Sequence, residues 1–264
     1  YDEPIKAAFQ GVLDGYNTLD AIAALVFATL IVNSVKEIGF TDPKAISSQV
    51  MKSGMLAGLL LALVYIFIAK IGAESVAAIG MQDTGAPVLA ESAKVFFGSF
   101  GAYLLAAIVL LACITTAVGL LTCCAAFFMQ LTGKFTYVQW VIGFTVISYL
   151  IGLFGLKTII VSTIPVLIFI YPLCVALIAL IFLHKFFGGR QCVYAWTMGF
   201  TFVMAIVNGA ETAGITMTGL EDVLKAYVPL HTYGMGWIPF AIVGFVIGLI
   251  WKVAVPAKAQ NAAA

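Results

Sequence analysis

Phe9-Gln10-Gly11-Val12-Leu13-Asp14-Gly15-Tyr16-Asn17-Thr18-Leu19-Asp20 interrupts a hydrophobic segment that runs from about Ala7 to Val35. The segment is long enough to cross a bilayer, which takes roughly 20 residues. Two carboxylates, Asp14 and Asp20, lie inside it. A charge at the bilayer centre costs at least about 2.5 kcal/mol, so such residues are functional candidates. Gly11 and Gly15 lie on either side of Asp14, and each glycine weakens a helix by roughly 1 kcal/mol against alanine. Asn, Thr and Asp side chains offer the backbone competing hydrogen bonds. The run from Asp14 to Thr18 is therefore where a membrane helix is expected to unwind. Unwound backbone is tolerated at that depth only where it is buried in protein or lines a wet cavity. There it suits an amino acid: amides at one half-helix end can hold a carboxylate, and carbonyls at the other an ammonium or Na⁺. The alternative is a continuous helix in which Asp14 and Asp20 face other helices in satisfied hydrogen bonds.

The rest of the chain agrees with a membrane setting. Its 264 residues are 63% hydrophobic and 9% charged, with a mean hydropathy of +1.11. A soluble domain is about 25% charged, so this composition excludes one, and apolar dominance excludes disorder. Five Cys are too few for a disulfide scaffold, and a net charge of +1 gives no basic surface for nucleic acid. The charges divide the chain into seven expected spans. After the interrupted segment come Val50 to Ala69, the stretch between Lys94 and Lys134, Phe135 to Leu156, Thr158 to Leu183, Cys192 to Ala210, and Gly236 to Val255. The third is too long for one span, and its start, Phe96 to Tyr103, is expected at the interface. Thr84-Gly85-Ala86-Pro87 reads as the capped start of an amphipathic helix. Glu211 to Tyr233 reads as a loop with a short helix around Leu220 to Tyr227. The reading is an all-α polytopic membrane protein, residues 1–264 forming a single membrane domain.

Alternate connections differ in charge. One set, with Lys36, Lys44, Lys52, Lys134, Lys185, Arg190, Lys252 and Lys258, has eight basic residues; the other, with Lys6, Lys70, Lys94, Lys157 and Lys225, has five. Basic loops stay cytoplasmic, so the expectation is a chain that starts outside and ends inside. A hydrophobic chain that starts outside at Tyr1, with no signal segment, is expected to have further spans upstream and to be the C-terminal part of a larger transporter.

Other candidates are weaker. Ala112-Cys113-Ile114-Thr115-Thr116-Ala117-Val118-Gly119 sets two hydroxyls among small residues. Hydroxyl oxygens suit a hard cation, although a threonine in a membrane helix commonly bonds its own backbone. Pro165 and Pro172 should bend the fifth span. The cysteines read as packing residues, and His184 and His231 as interfacial. No phosphate loop, zinc signature or nucleophile elbow is present, so no enzyme and no organic cofactor is expected. An intramembrane aspartyl protease would need two carboxylates sharing a proton; Asp14 and Asp20, six apart, are on poorly matched helix faces. An ion channel or non-transporting scaffold is the second alternative, but a channel expects polar stripes on several spans.

The stretch Gly11 to Phe27, followed by Ala112 to Leu120, resembles the bacterial branched-chain amino acid:cation symporter family. The resemblance runs along essentially the whole chain and covers the sixth to twelfth spans of that family's twelve. It implies import of leucine, isoleucine and valine by symport with Na⁺ (or H⁺ in some members) across the bacterial inner membrane. It also implies a leucine-transporter-type fold, of which this chain holds the second inverted repeat plus two helices, the first repeat being absent. On that mapping Gly11, Asp14, Gly15, Tyr16, Asn17 and Thr18 fall at the substrate site, with Asp20 beside it. Thr115 and Thr116 fall on Na⁺-binding positions, and Tyr16 and Phe27 would line the pocket for the aliphatic side chain. The partners implied are the amino acid, Na⁺, the lipid bilayer and the N-terminal helices missing from this chain.

Overall fold

The computed structural model describes residues 4–82, 85–215, 218–228 and 230–254. Thr84, the expected cap, and the tail from Val255 lie outside them. The helices are α1 (Pro4–Tyr16), α2 (Asp20–Glu37), α3 (Pro43–Ile79), α4 (Gly85–Thr132), α5 (Tyr137–Gly152), α6 (Leu156–Phe187), α7 (Gln191–Thr212), α8 (Thr218–Tyr227) and α9 (Trp237–Ala254), with a 3₁₀ turn at His231–Tyr233. No strand occurs among the described residues. This is an all-α polytopic membrane protein. Helices α3, α4, α6, α7 and α9 are each long and apolar enough to cross a membrane, and α1 with α2 passes the same test as one bent span. α5 is apolar but has 16 residues, about 24 Å at 1.5 Å per residue, short of the hydrocarbon thickness. Each expected span thus has a helical counterpart.

Local chemistry explains several ends. Asp42 caps α3, its carboxylate accepting from the Ala45 amide at 3.1 Å, with Pro43 at the first helical position. The overlong third stretch is interrupted inside α4 at Gly98, whose φ of 61° no ordinary residue adopts at low cost. Just beyond, a Cβ on Gly101 would overlap the Ala93 carbonyl, so the chain folds closely on itself there. α6 continues through Pro165 and Pro172 as one helix. α8 occupies the short helix expected near 220–227.

The chain forms two compact units, residues 1–25 with 147–264, and residues 26–146. In the first, α7 packs along both α6 and α9. Its core joins Ala176, Met204, Val207, Leu224 and Trp237, with Tyr16 packed against them, and a second cluster joins Leu180, Phe187 and Val193. The α7–α9 seam is set by glycine. A Cβ on Gly244 would lie 2.7 Å from the Trp196 carbonyl oxygen, and one on Gly248 would lie 2.8 Å from Val193 Cα. The two glycines, four apart, bring the backbones together where apolar surroundings give helices no hydrophobic reason to associate. Gly248→Val should destabilise this unit by about 1–3 kcal/mol, the usual cost of overpacking, read as a lower thermal midpoint in detergent. In the second unit, α3 packs on α4, and Phe128 of α4 contacts Trp140 and Phe144 of α5. The apolar stretches of α3 and α4 are exposed, as expected of surface meant for lipid or protein rather than water.

Candidate functional site

The helix break lies in the first unit. α1 ends at Tyr16, α2 begins at Asp20, and the two are bent by 45°. Asp14, Gly15 and Tyr16 remain helical, so the break falls on Asn17, Thr18 and Leu19, at the downstream end of the expected run. The reason is visible in the hydrogen bonds. The Thr18 and Leu19 amides donate to the Gly15 and Tyr16 carbonyls, both at 3.3 Å, which tightens the last turn. Leu19 then takes φ 59°, left-handed backbone that costs an L-residue about 1–2 kcal/mol. Thr18 ties both sides of the break: its hydroxyl meets the Gly15 carbonyl at 2.7 Å and the Asp20 carboxylate at 3.3 Å. Gln10 donates to Asp14 Oδ1 at 3.0 Å, one turn away on α1.

Partners from distant segments fix the break. Trp237 Nε1 at the start of α9 donates to the Tyr16 hydroxyl at 2.8 Å. The Tyr171 ring of α6 packs edge-on against Tyr16, with centroids 4.8 Å apart. A cavity of about 50 Å³ lies among Tyr16, Asn17, Leu19, Ile168, Tyr171 and Gly234. Gly11, Asp14, Gly15, Asn17, Thr18 and Asp20 are exposed, and a Cβ on Gly11 or Gly15 would meet nothing within 4 Å. The two glycines are therefore not demanded by packing among the described residues. α1 presents its negative end to the break and α2 its positive end.

Thr115 and Thr116 belong to the second unit, exposed on α4. The Thr115 hydroxyl donates to the carbonyls of Leu111 and Ala112, both at 3.0 Å, as threonines in apolar helices do. Its oxygen keeps lone pairs for a cation. Phe27 of α2 lies against Gly119, where a Cβ would come within 2.8 Å of the ring. In the same unit a cavity of about 460 Å³ is lined by residues that include Thr29, Asn33, Ser34 and Glu37 of α2, with Thr122 and Gln130 of α4. Among the described residues no group of three or more His, Cys, Asp or Glu side chains is placed to hold a metal ion.

Trp237 and Tyr171 were not marked by the sequence. An aromatic at a span end reads as an interface anchor, and nothing local ties Trp237 to a residue 221 positions earlier.

Residues 3–255 match the family model described as branched-chain amino acid transport protein. The chain belongs to this family. Among curated relatives, the branched-chain amino acid permease BraB of Bacillus subtilis (strain 168) is 39% identical over 254 residues, covering 96% of this chain and 57% of BraB. The permease BrnQ of the same organism is 36% identical, covering 94% of this chain and 56% of BrnQ. BrnQ of Lactobacillus delbrueckii subsp. lactis is 35% identical, covering 90% and 54%. This family member thus spans little more than half the length of the relatives it matches. No solved structure gives a significant match.

Proposed function

We propose that this chain is part of a secondary transporter that imports leucine, isoleucine and valine with Na⁺ or H⁺ across the bacterial inner membrane. The observation that carries the reading is the bent pair α1–α2, broken at Asn17–Leu19 between opposed helix ends. A broken helix supplies both charges an amino acid needs without an ion pair in lipid. Gly11, Asp14, Gly15, Tyr16, Asn17 and Thr18 contact the substrate, and Asp20 holds Thr18 in place. Thr115 and Thr116 donate hydroxyl oxygens to Na⁺. The mechanism is alternating access, in a leucine-transporter-type fold whose other wall lies in N-terminal helices outside this chain. The greater length of the relatives supports such a segment. The basic-loop asymmetry supports a chain that starts outside and ends in the cytoplasm.

The test uses the intact protein in liposomes. Asp14→Asn should weaken leucine binding about tenfold, and Thr116→Ala should raise the Na⁺ concentration for half-maximal uptake about tenfold, each a loss of about 1.4 kcal/mol. If both constants stay at their wild-type values, these site assignments are wrong. Flux counting addresses the transport reading itself: ions passing without stoichiometric amino acid would make the protein a channel.

A further inference from the structure

The cavity of about 460 Å³ in the second unit has no part in the helix break. Two polar helix faces wall it. On α2, Thr29, Asn33 and Glu37 recur every four residues and so lie along one face, with Ser34 beside them. On α4, Thr122 and Gln130 line the other side. Both helices belong to apolar segments suited to a membrane, where polar side chains are costly against lipid and gather at cavities.

The chemistry of the lining is one-sided. Among the described residues, Glu37 is its one charged side chain, and no Lys or Arg lines it. Lys36, next in sequence, is turned about 100° around the helix and is off the lining. The Thr29 hydroxyl donates to the Val26 carbonyl at 2.8 Å, and the Thr122 hydroxyl to the carbonyls of Val118 and Gly119, both at 2.9 Å. Their protons are taken by the backbone, so both threonines offer the cavity lone pairs. The amide oxygens of Asn33 and Gln130 and the Ser34 oxygen are further acceptors. Helix ends add to this. α2 ends at Glu37 and α4 at Thr132, two residues past Gln130, so the negative ends of two helix dipoles border the cavity. The positive end at Tyr137, where α5 begins, is already capped. Gln139 Oε1 accepts from the Thr136 amide at 2.9 Å, and Thr136 Oγ1 accepts from the Gln139 amide at 3.4 Å.

We propose that this cavity binds one monovalent cation, a hydrated alkali-metal ion or an organic ammonium, with Glu37 as its counter-charge. One carboxylate among neutral oxygens balances one positive charge, whereas sites for divalent ions draw their affinity from several charged ligands. No group of three or more His, Cys, Asp or Glu stands here among the described residues. The volume leaves the cation its water, at about 30 Å³ per molecule. The proposal rests on this lining and not on the helix break or on Thr115 and Thr116.

Cys123 lines the same cavity and can report on it. The intact protein in lipid nanodiscs is treated with a cationic or an anionic methanethiosulfonate. Modification of Cys123 is followed by peptide mass spectrometry, and each rate is divided by that of the reagent with a free thiol. The cationic reagent should be favoured about tenfold, the lower end of what a cleft of one sign does to its counter-ion. Glu37→Gln should bring the two rates within about twofold of each other, while Glu37→Asp, which keeps the charge, should retain most of the preference. Occupancy is read with a neutral methanethiosulfonate at constant ionic strength, with choline as the reference cation. A cation that fills about two-thirds of the cavities should slow Cys123 about threefold. Slowing by Na⁺ identifies a metal-ion site and slowing by methylammonium an ammonium site; either supports the proposal if Glu37→Gln removes it. No amino acid is present, so the outcome is separate from that of the transport reading. A charge preference that is absent or survives in Glu37→Gln overturns the proposal. So does slowing by neither cation, or slowing that Glu37→Gln leaves intact.

Discussion

Leu19→Pro in the intact protein is expected to reduce leucine uptake at least a hundredfold, while Leu19→Gly retains it. Leu19 sits at φ 59° between α1 and α2. Proline locks φ near −65°, so it cannot occupy this position without moving the start of α2. Glycine adopts positive φ freely and relieves the roughly 1–2 kcal/mol of left-handed strain. The pair separates backbone from side chain: if the proline variant inserts normally and transports at the wild-type rate, the break has no part in function. Uptake of radiolabelled leucine, normalised to protein in the membrane, is the measurement. Thr18 gives a milder version. Its hydroxyl ties Gly15 to Asp20 across the break, and Thr18→Val keeps the shape while losing both bonds.

Trp237→Ala should lower the stability of the first unit by about 3–5 kcal/mol, the usual cost of removing a large buried aromatic. Trp237 is 6% exposed, stands in the same core cluster as Met204 and Val207, and holds the Tyr16 hydroxyl. Trp237→Phe should cost less, and a cycle with Tyr16→Phe isolates the hydrogen bond, expected at about 1 kcal/mol. Thermal unfolding in detergent reads all four proteins. Additive single and double effects would mean that the bond at 2.8 Å contributes nothing to holding the break.

Much of the helical plan was legible in the sequence because it depends on local composition. Runs of uncharged residues between lysines mark where helices can cross a membrane, and α3, α6, α7 and α9 follow them. The interruption in the first segment was legible for the same reason: two glycines, two carboxylates, Asn17 and Thr18 together weaken one helix. Its position was less so. Asp14 to Tyr16 stay helical because Gln10 satisfies Asp14 within one turn, while Thr18 finds better partners across the break. Gly244 and Gly248 are four apart in an apolar helix, a readable spacing for close packing, but α7 as the partner was not readable from it.

By itself, the sequence determined the class of protein, its family, the helical segments and the segment in which one helix is interrupted. Hydropathy and charge act through the nearest turn or the local solvent, so they survive in a linear string. Only the tertiary structure decided that Leu19 carries the left-handed bend, that Tyr16 is held by Trp237 and Tyr171, and that His231 is buried against Glu211. The last two need residues far apart in the chain to meet. Which ones meet is set by the packing of α6, α7 and α9, whose apolar surfaces give little local sign of the partner each will find.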